Sequence, residues 1–306
     1  MNRLLGAVAV CAAVLSLVAP AVSRSDPAGF AFLEVPAGAR ASALGGAYDT
    51  RALGVEAAFW NPAGLSAVKG VQIVASHYEF LSHLRFAQFG AAERMFGGGA
   101  SIGLRALYSE PIVERDENGD AIGTFGAHDL ELALGYGRAI GSGLSLGATA
   151  QMVRERIAEE SATAWAMGAG AAWEPAVAPR LRLSGSVHNL GASPSFLIDG
   201  VRGEPVPLPA AVQVGASYGV PAGGFDWRGS LETRLTRGRP GIGMVGLEAA
   251  HASGAALEMG LRVNDETTSL SYGAGYARQA LRLDYAFVPF RLDLGDTHRF
   301  SASFQF

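Results

Sequence analysis

The chain has 306 residues, 24 basic and 28 acidic side chains, 49% hydrophobic and 17% charged residues, and 41 glycines. It is too apolar for a disordered chain and too rich in glycine for a helical enzyme. A formal charge of -4 gives no basic excess, so nucleic acid is excluded as a partner.

The first predicted element, residues 1–23, reads as a secretory signal. Arg3 supplies the positive start, Leu4 to Val18 a short apolar stretch, and Ala21-Val22-Ser23 a small-x-small cleavage site. The apolar stretch is shorter than the roughly twenty residues a spanning helix needs, so the mature chain is expected to begin near Arg24. Cys11 is the sole cysteine and lies inside this signal. Disulfides, thiol nucleophiles and cysteine-based metal sites are therefore not expected in the mature protein.

Residues 24–68 form a second region. From Ala31 to Val68 the sequence is alanine-rich, shows no sustained alternation, and is punctuated by Pro and Gly into short helix-compatible pieces. Phe30, Phe32, Leu33, Phe59 and Trp60 argue for burial, and the expectation is a hatch folded into the lumen of a barrel formed by the C-terminal region. Within it, Gly45, Gly46, Trp60, Asn61, Pro62 and Gly64 are the candidate gate residues. Asn before Pro is pushed out of the helical region, Pro fixes its own φ, and Gly64 accepts a positive one. The resulting rigid turn is either a gate or only a turn.

From residue 69 to 306 the pattern changes to alternation at period two, broken by Gly, Pro, Asp and Asn clusters. About fourteen such runs occur, near 71–80, 84–94, 98–109, 129–140, 144–157, 162–174, 181–189, 210–219, 225–236, 243–251, 255–264, 269–278, 281–288 and 298–306. Leu281, Leu283, Tyr285 and Phe287 oppose Arg282, Asp284 and Ala286; Phe300, Ala302, Phe304 and Phe306 oppose Arg299, Ser301, Ser303 and Gln305. At about ten residues per membrane strand, fourteen strands leave roughly a hundred residues for connections, and an even number returns both ends to one side. The fold class expected is all-β: a transmembrane antiparallel barrel of about fourteen strands with an N-terminal, partly helical luminal hatch.

Several motifs match chemistry only by letters. Gly241 to Gly246 fits a dinucleotide fingerprint but opens no helix, and Gly143-Leu144-Ser145-Leu146-Gly147 fits a nucleophile elbow but starts a strand. Asp116, Asn118 and Asp120 have calcium-loop spacing, yet Ala121 and Ala127 stand where such a loop needs Gly and Glu; a polar loop is the better account. No catalytic residue, metal or cofactor is expected. Glycines at Gly97 to Gly99, Gly135/Gly137, Gly168/Gly170 and Gly273/Gly275 would either bend the wall, make room for a plug, or mark a lateral opening.

Three stretches in order resemble the PorV/PorQ family of outer-membrane proteins, related to the FadL-type transporters. They are Gly38 to Tyr48 followed by Trp60-Asn61-Pro62-Ala63-Gly64-Leu65; His188-Asn189-Leu190-Gly191 with Pro207-Leu208-Pro209; and Leu283 to Phe287 with Thr297 to Phe306. The resemblance implies an outer-membrane location and a protein-export accessory, of the type IX kind, that binds secreted cargo. The alternative it implies is a FadL-like passive transporter of a hydrophobic ligand. Outer-membrane lipid and the barrel-assembly machinery are the other expected partners, with Phe304 and Phe306 as the terminal assembly signal.

Overall fold

The computed structural model describes residues 28–80, 84–198, 200–291 and 295–306; the expected signal and its cleavage site lie outside them. The wall is built from strands whose side chains alternate between an apolar and a polar environment. They are β1 (Val71–Phe80), β2 (Leu84–Met95), β3 (Gly98–Ser109), then, after the hairpin β4 (Ile112–Arg115) and β5 (Ala121–Phe125), β6 (Ala127–Gly141), β7 (Leu144–Ile157), β8 (Glu160–Trp173) and β9 (Leu181–Gly191). A second hairpin, β10 (Ser195–Ile198) and β11 (Val201–Pro205), precedes β12 (Ala211–Ala222), β13 (Phe225–Thr236), β14 (Ile242–His251), β15 (Ala255–Val263), β16 (Leu270–Arg278), β17 (Leu281–Pro289) and β18 (Asp296–Gln305). Fourteen of these close into an antiparallel barrel in which β1 pairs with β18, while β4/β5 and β10/β11 form two separate two-stranded sheets. Closure leaves no wall strand with an unpaired edge, the condition for backbone to sit in lipid.

The alternation sorts side chains as the pattern requires. Leu257 is 67% exposed and Phe300 58%, whereas their neighbours Glu258 and Arg299 are 4% and 2% exposed. The greasy face is outside and the charged face inside, the reverse of a soluble barrel. At one end the connections are tight: Phe96-Gly97, Ser142-Gly143 and Gly223-Gly224 are two-residue turns with positive φ at both positions, the geometry that matches strand twist. Gly97 therefore belongs to a turn, and only Gly98 and Gly99 of that run to a strand. At the same end Trp173 Nε1 donates to Ser142 O at 3.2 Å, Trp227 Nε1 to Ala222 O at 3.2 Å and Tyr136 Oη to Phe96 O at 2.9 Å. Aromatic rings with one polar tip mark a membrane interface. The opposite end bears both hairpins. Short turns identify the periplasmic side, so the hairpins belong to the extracellular side.

Between wall strands the segment 110–126, expected as a loop, is a hairpin whose turn is fastened by Asp116. Its Oδ1 accepts from Asn118 N and Asp120 N, both at 2.9 Å. These bonds hold the exposed Asp116 carboxyl below the usual range. Two irregularities interrupt the wall, one beside the β6/β7 turn at Ala139/Gly141 and one farther from a turn. Register shifts between β8 and β9 at Met167/Ala169, where Asn189 takes a φ of 55°. Asn tolerates this left-handed conformation better than other non-glycine residues. Its side chain is held by Gln151 Nε2, which donates to Asn189 Oδ1 at 2.7 Å, and by its own donation to Pro209 O at 3.1 Å.

Candidate functional site

Residues 28–68 comprise 3-10 turns at Ala31–Glu34, Gly54–Phe59 and Pro62–Ala67 and the short helix α1 (Ala39–Ala43). Their polar groups reach Glu155 on β7, Ser301 on β18, Glu248 on β14, Glu232 on β13, Ala171 O on β8 and Gln72 on β1. Strands spaced around a closed ring can be touched together only from within it. The segment fills the lumen.

The turn at Asn61 shows why this sequence folds locally as it does. Asn61 Oδ1 accepts from Ala63 N at 3.0 Å and Pro62 occupies the first helical position, where a missing N–H costs nothing. Asn61 Nδ2 donates outward to Ala171 O at 3.2 Å and inward to Asp49 Oδ2 at 2.9 Å. Trp60 donates from Nε1 to Ala37 O at 3.0 Å and meets Tyr48 edge-on at 5.7 Å. Gly45 and Gly46, with φ of 65° and 81°, turn the chain after α1 while lying against Gly260 and Arg262 of β15. The sequence-predicted set Gly45, Gly46, Trp60, Asn61, Pro62 and Gly64 is thus brought into one luminal body, though Gly64 does not take the expected positive φ: its glycine is required because a Cβ would overlap Ala52 O. Phe304 and Phe306 lie elsewhere, at the periplasmic end of β18, stacked edge to face at 4.7 Å, with Phe306 N donating to Val71 O at 2.9 Å.

The wall is recessed to receive this body. Gly99, Gly137, Gly147 and Gly170 are successive cross-strand partners on β3, β6, β7 and β8, forming a horizontal row. A Cβ on any of them would overlap the Asn61–Leu65 turn: Leu65 O, Pro62 O, the Pro62–Ala63 peptide and Asn61 Oδ1 respectively. The paired Gly90 and Gly103 lie beneath the Phe59 ring, and the paired Gly246 and Gly260 beneath Leu44 and Gly45. Glycines within strands serve here as a socket for backbone, which selects plug room from the three possible roles.

Charge ties the body to the opposite wall. Arg40 and Arg51 both bind Glu248, at 2.8 and 2.5 Å, while Arg282 bridges Glu258 at 3.0 Å and Asp284 at 2.6 Å. Glu232 on β13 accepts four hydrogen bonds: Asp49 N at 3.0 Å, Thr50 N at 2.9 Å, Thr50 Oγ1 at 2.7 Å and Gln213 Nε2 at 2.6 Å. Asp49 accepts from Ser184 Oγ and Ser186 Oγ, both at 2.6 Å, and Tyr48 Oη donates to Glu56. Burial raises the carboxyls of Asp49 and Glu56 above their ordinary values, the hydrogen bonds and Arg40 opposing it only in part. Arg40, Asp49, Arg51, Glu232 and Glu248 are absent from the sequence-predicted set. Their signal was present as charged residues at inward strand positions facing charged residues of an otherwise alanine-rich segment.

Above the body, at the extracellular end, a cavity of about 670 Å³ opens between the barrel mouth and the strap Ala31–Pro36. Phe32, Val35, Leu107, Met244 and Phe290 supply its apolar lining, and Arg234, Arg239, Arg262, Glu34 and Asp265 its charge. A second, inner space of only about 30 Å³ lies below, and Val35, Pro36, Trp60 and Arg234 line both. Beside it Ser186 Oγ lies 2.7 Å from His188 Nε2, but Asp49 accepts from the serine and not from the histidine. Without a carboxylate orienting the imidazole this is no acyl-transfer triad. Ser145, within the elbow-like sequence, is on β7 and accepts from Ser66 Oγ at 3.0 Å. Among the described residues no group of three or more His, Cys, Asp or Glu could hold a metal ion.

No family model matches the sequence, and no curated protein does either. Solved structures do. The toluene transporter TodX of Pseudomonas putida aligns at a TM-score of 0.62 over 88% of this chain and 98% of its own, with 14% identity. CymD, a monoaromatic hydrocarbon channel, aligns at 0.58 over 89% and 98%, with 13% identity. A FadL homologue of Pseudomonas aeruginosa aligns at 0.57 over 89% and 99%, with 12% identity. At such identities the likeness is one of architecture: this chain is a closed fourteen-stranded antiparallel barrel of the kind found in FadL-like outer-membrane proteins.

Proposed function

We propose that this protein is a non-enzymatic outer-membrane channel that admits a hydrophobic small molecule through its extracellular vestibule and past the luminal hatch. The observation that carries the reading is the cavity of about 670 Å³ itself. It has the size of a small-molecule site, an apolar lining with a few polar groups, and a floor made by the hatch strap. Structural neighbours described as a toluene transporter and a monoaromatic hydrocarbon channel support the same class of ligand. The protein-export reading, with secreted cargo as partner, finds no support in these neighbours and is not adopted. Export by the N-terminal signal, lipid as the surrounding partner, insertion by the barrel-assembly machinery and a role for Phe304 and Phe306 in that step are part of the proposal. So is the function of Asn61–Gly64 as the fixed end of the gate.

The test is uptake into vesicles with a lipopolysaccharide outer leaflet. Protein-containing vesicles should admit the apolar dye N-phenyl-1-naphthylamine faster than empty ones while leaving glucose entry unchanged. Faster glucose entry without faster dye entry would identify an aqueous pore and overturn the reading.

A further inference from the structure

On the outside of the wall the apolar face ends abruptly on β7. Its outward residues run Leu144, Leu146, Ala148, Ala150 and Met152, then Arg154 and Arg156, while Val153 packs against the hatch and Glu155 accepts from Phe30 N inside. The neighbouring strands extend the change sideways. Arg156 lies between His128 of β6 and Ser161 of β8, and Arg154 between Leu130 and Thr163; one step lower, Met152 lies between Leu132 and Trp165. Arg154 stands ten residues above Leu144 at the periplasmic turn, about 33 Å of strand. At a tilt of about 40° that is about 25 Å of height, the depth of the apolar band of an outer-membrane barrel. Trp165, 71% exposed, and Trp173, eight residues below it on β8, mark the two edges of that band. Arg154, Arg156 and His128 therefore emerge at headgroup level on the extracellular side.

The positive charge of this patch is offset by the protein only once. Arg156 Nη2 lies 3.0 Å from Glu159 Oε2 in the turn after β7, a pair whose side chains are 43% and 92% exposed and so weakly coupled. Arg154 Nη2 donates to Ser161 Oγ at 3.4 Å, and among the described residues no carboxylate forms an ion pair with it. Asp129, Glu131, Glu155 and Glu160, the other carboxylates of these strands near this end, occupy the alternate positions that face the lumen. Glu114 of the first hairpin and Glu160 line a separate depression with Ile157 and Phe196. Around the same rim, Arg85 of β2 is matched by Glu110 at 2.6 Å and faces Glu79 across the sheet, and the uppermost outward residues of β13 and β15, Leu235 and Val263, are apolar.

Two guanidinium groups, an imidazole and two hydroxyls on one face, with a single exposed carboxylate beside them, are donors suited to phosphate oxygens. Their place at the edge of the apolar band favours a molecule whose acyl chains already lie in the membrane over a dissolved anion. We propose that the outward patch of His128, Arg154 and Arg156 holds the phosphate groups of an outer-leaflet glycolipid, whose acyl chains lie down the wall over Leu132, Met152 and Trp165. The site does not depend on what the channel carries, only on this end of the barrel being extracellular.

The experiment measures retention of diphosphorylated lipid A by the full-length protein in detergent, read by native mass spectrometry, against lipid A with both phosphates removed. Wild type should retain the phosphorylated form about tenfold more, the low end for charge-assisted bonds because these are exposed. The double variant Arg154→Gln, Arg156→Gln should lose that preference, Arg154→Lys with Arg156→Lys should keep most of it, and Arg85→Gln should keep all of it. Heat-modifiable gel mobility reports that each variant is a closed barrel; if the double glutamine variant is not, Arg154→Gln alone should lower the preference about threefold, half the effect on a logarithmic scale. No preference in wild type, or an undiminished one in the glutamine variants, would overturn the site. So would displacement of lipid A by inorganic phosphate at equal concentration, which marks a site for free anions. Glu159→Cys, labelled in intact cells with a membrane-impermeant maleimide, checks the orientation separately: an inserted barrel that labels only after the outer membrane is broken would overturn the orientation, and the site with it.

Discussion

Replacing Glu232 by Ala should unlatch the hatch from the wall without breaking the wall. The carboxylate is 1% exposed and accepts from three hatch donors, Asp49 N, Thr50 N and Thr50 Oγ1. In the variant those donors stay dry and unpaired while the hatch is seated, but regain water once it lifts. At about 1–1.5 kcal/mol per donor the seated state loses roughly 3–4.5 kcal/mol, which corresponds to about two to three powers of ten in the open-to-closed ratio. The wall keeps its ladder, since β13 is joined to β12 and β14 through backbone pairs at every position from Arg234 down to Phe225. Single-channel recording in planar bilayers should show openings in Glu232→Ala that are rare in wild type. Glu232→Gln, which keeps the shape and one acceptor oxygen, should fall between them. Normal membrane insertion of Glu232→Ala with wild-type conductance and unchanged protection of the hatch from protease would refute the latch.

Removing residues 31–67 should leave a barrel that still inserts, because strand-to-strand bonds close the wall; its ion conductance should far exceed that of the intact chain. Gly103→Val would place a Cβ 2.8 Å from the Phe59 ring and should cost about 1–3 kcal/mol by overpacking, read as a lower thermal midpoint. Gly229→Ala, with nothing within 4 Å of the added Cβ, should instead raise the midpoint slightly, by the roughly 0.5–1 kcal/mol that glycine costs a strand interior. Burial raises the Asp49 carboxyl, so the seated hatch binds a proton that a hydrated carboxyl would release. Seating is strongest in acid and weakens as pH rises through the raised value; conductance should increase across that range, and Asp49→Asn should reduce the increase, the Glu56 carboxyl, raised likewise, supplying the rest. Deleting Phe306 should leave the chain periplasmic, scored by fractionation and gel mobility, whereas wild-type yield in the outer membrane would remove its assembly role.

Strand number, strand position and the sidedness of β17 and β18 were legible because a membrane wall favours alternation, visible in runs such as Leu281 to Phe287. The hatch was legible as the stretch where alternation stops. The hairpins β4/β5 and β10/β11 were not, since strands of four or five residues are too short to show a period. Nor could pattern alone place Asp49 beside Ser184 and Ser186, or Arg40 beside Glu248. Those partners are separated by 135 to 208 residues and meet only when the ring closes. At β8, Ala162, Ala164 and Ala166 face inward against Phe30, Phe32 and Leu208. There the inner face is apolar because a hatch, and not water, lies against it.

The row Gly99, Gly137, Gly147 and Gly170 bears on the mechanics of the wall. Each glycine forgoes roughly 0.5–1 kcal/mol of strand stability relative to alanine, so four abreast forgo about 2–4 kcal/mol across one arc. The Asn61–Leu65 turn lies against that arc and supplies the stiffness the glycines withhold. Hoop and filling therefore behave as one mechanical unit. On the proposed gating, lifting the filling would remove that support from the arc between β3 and β8, so opening in the lumen should be felt on the lipid side of the same four strands.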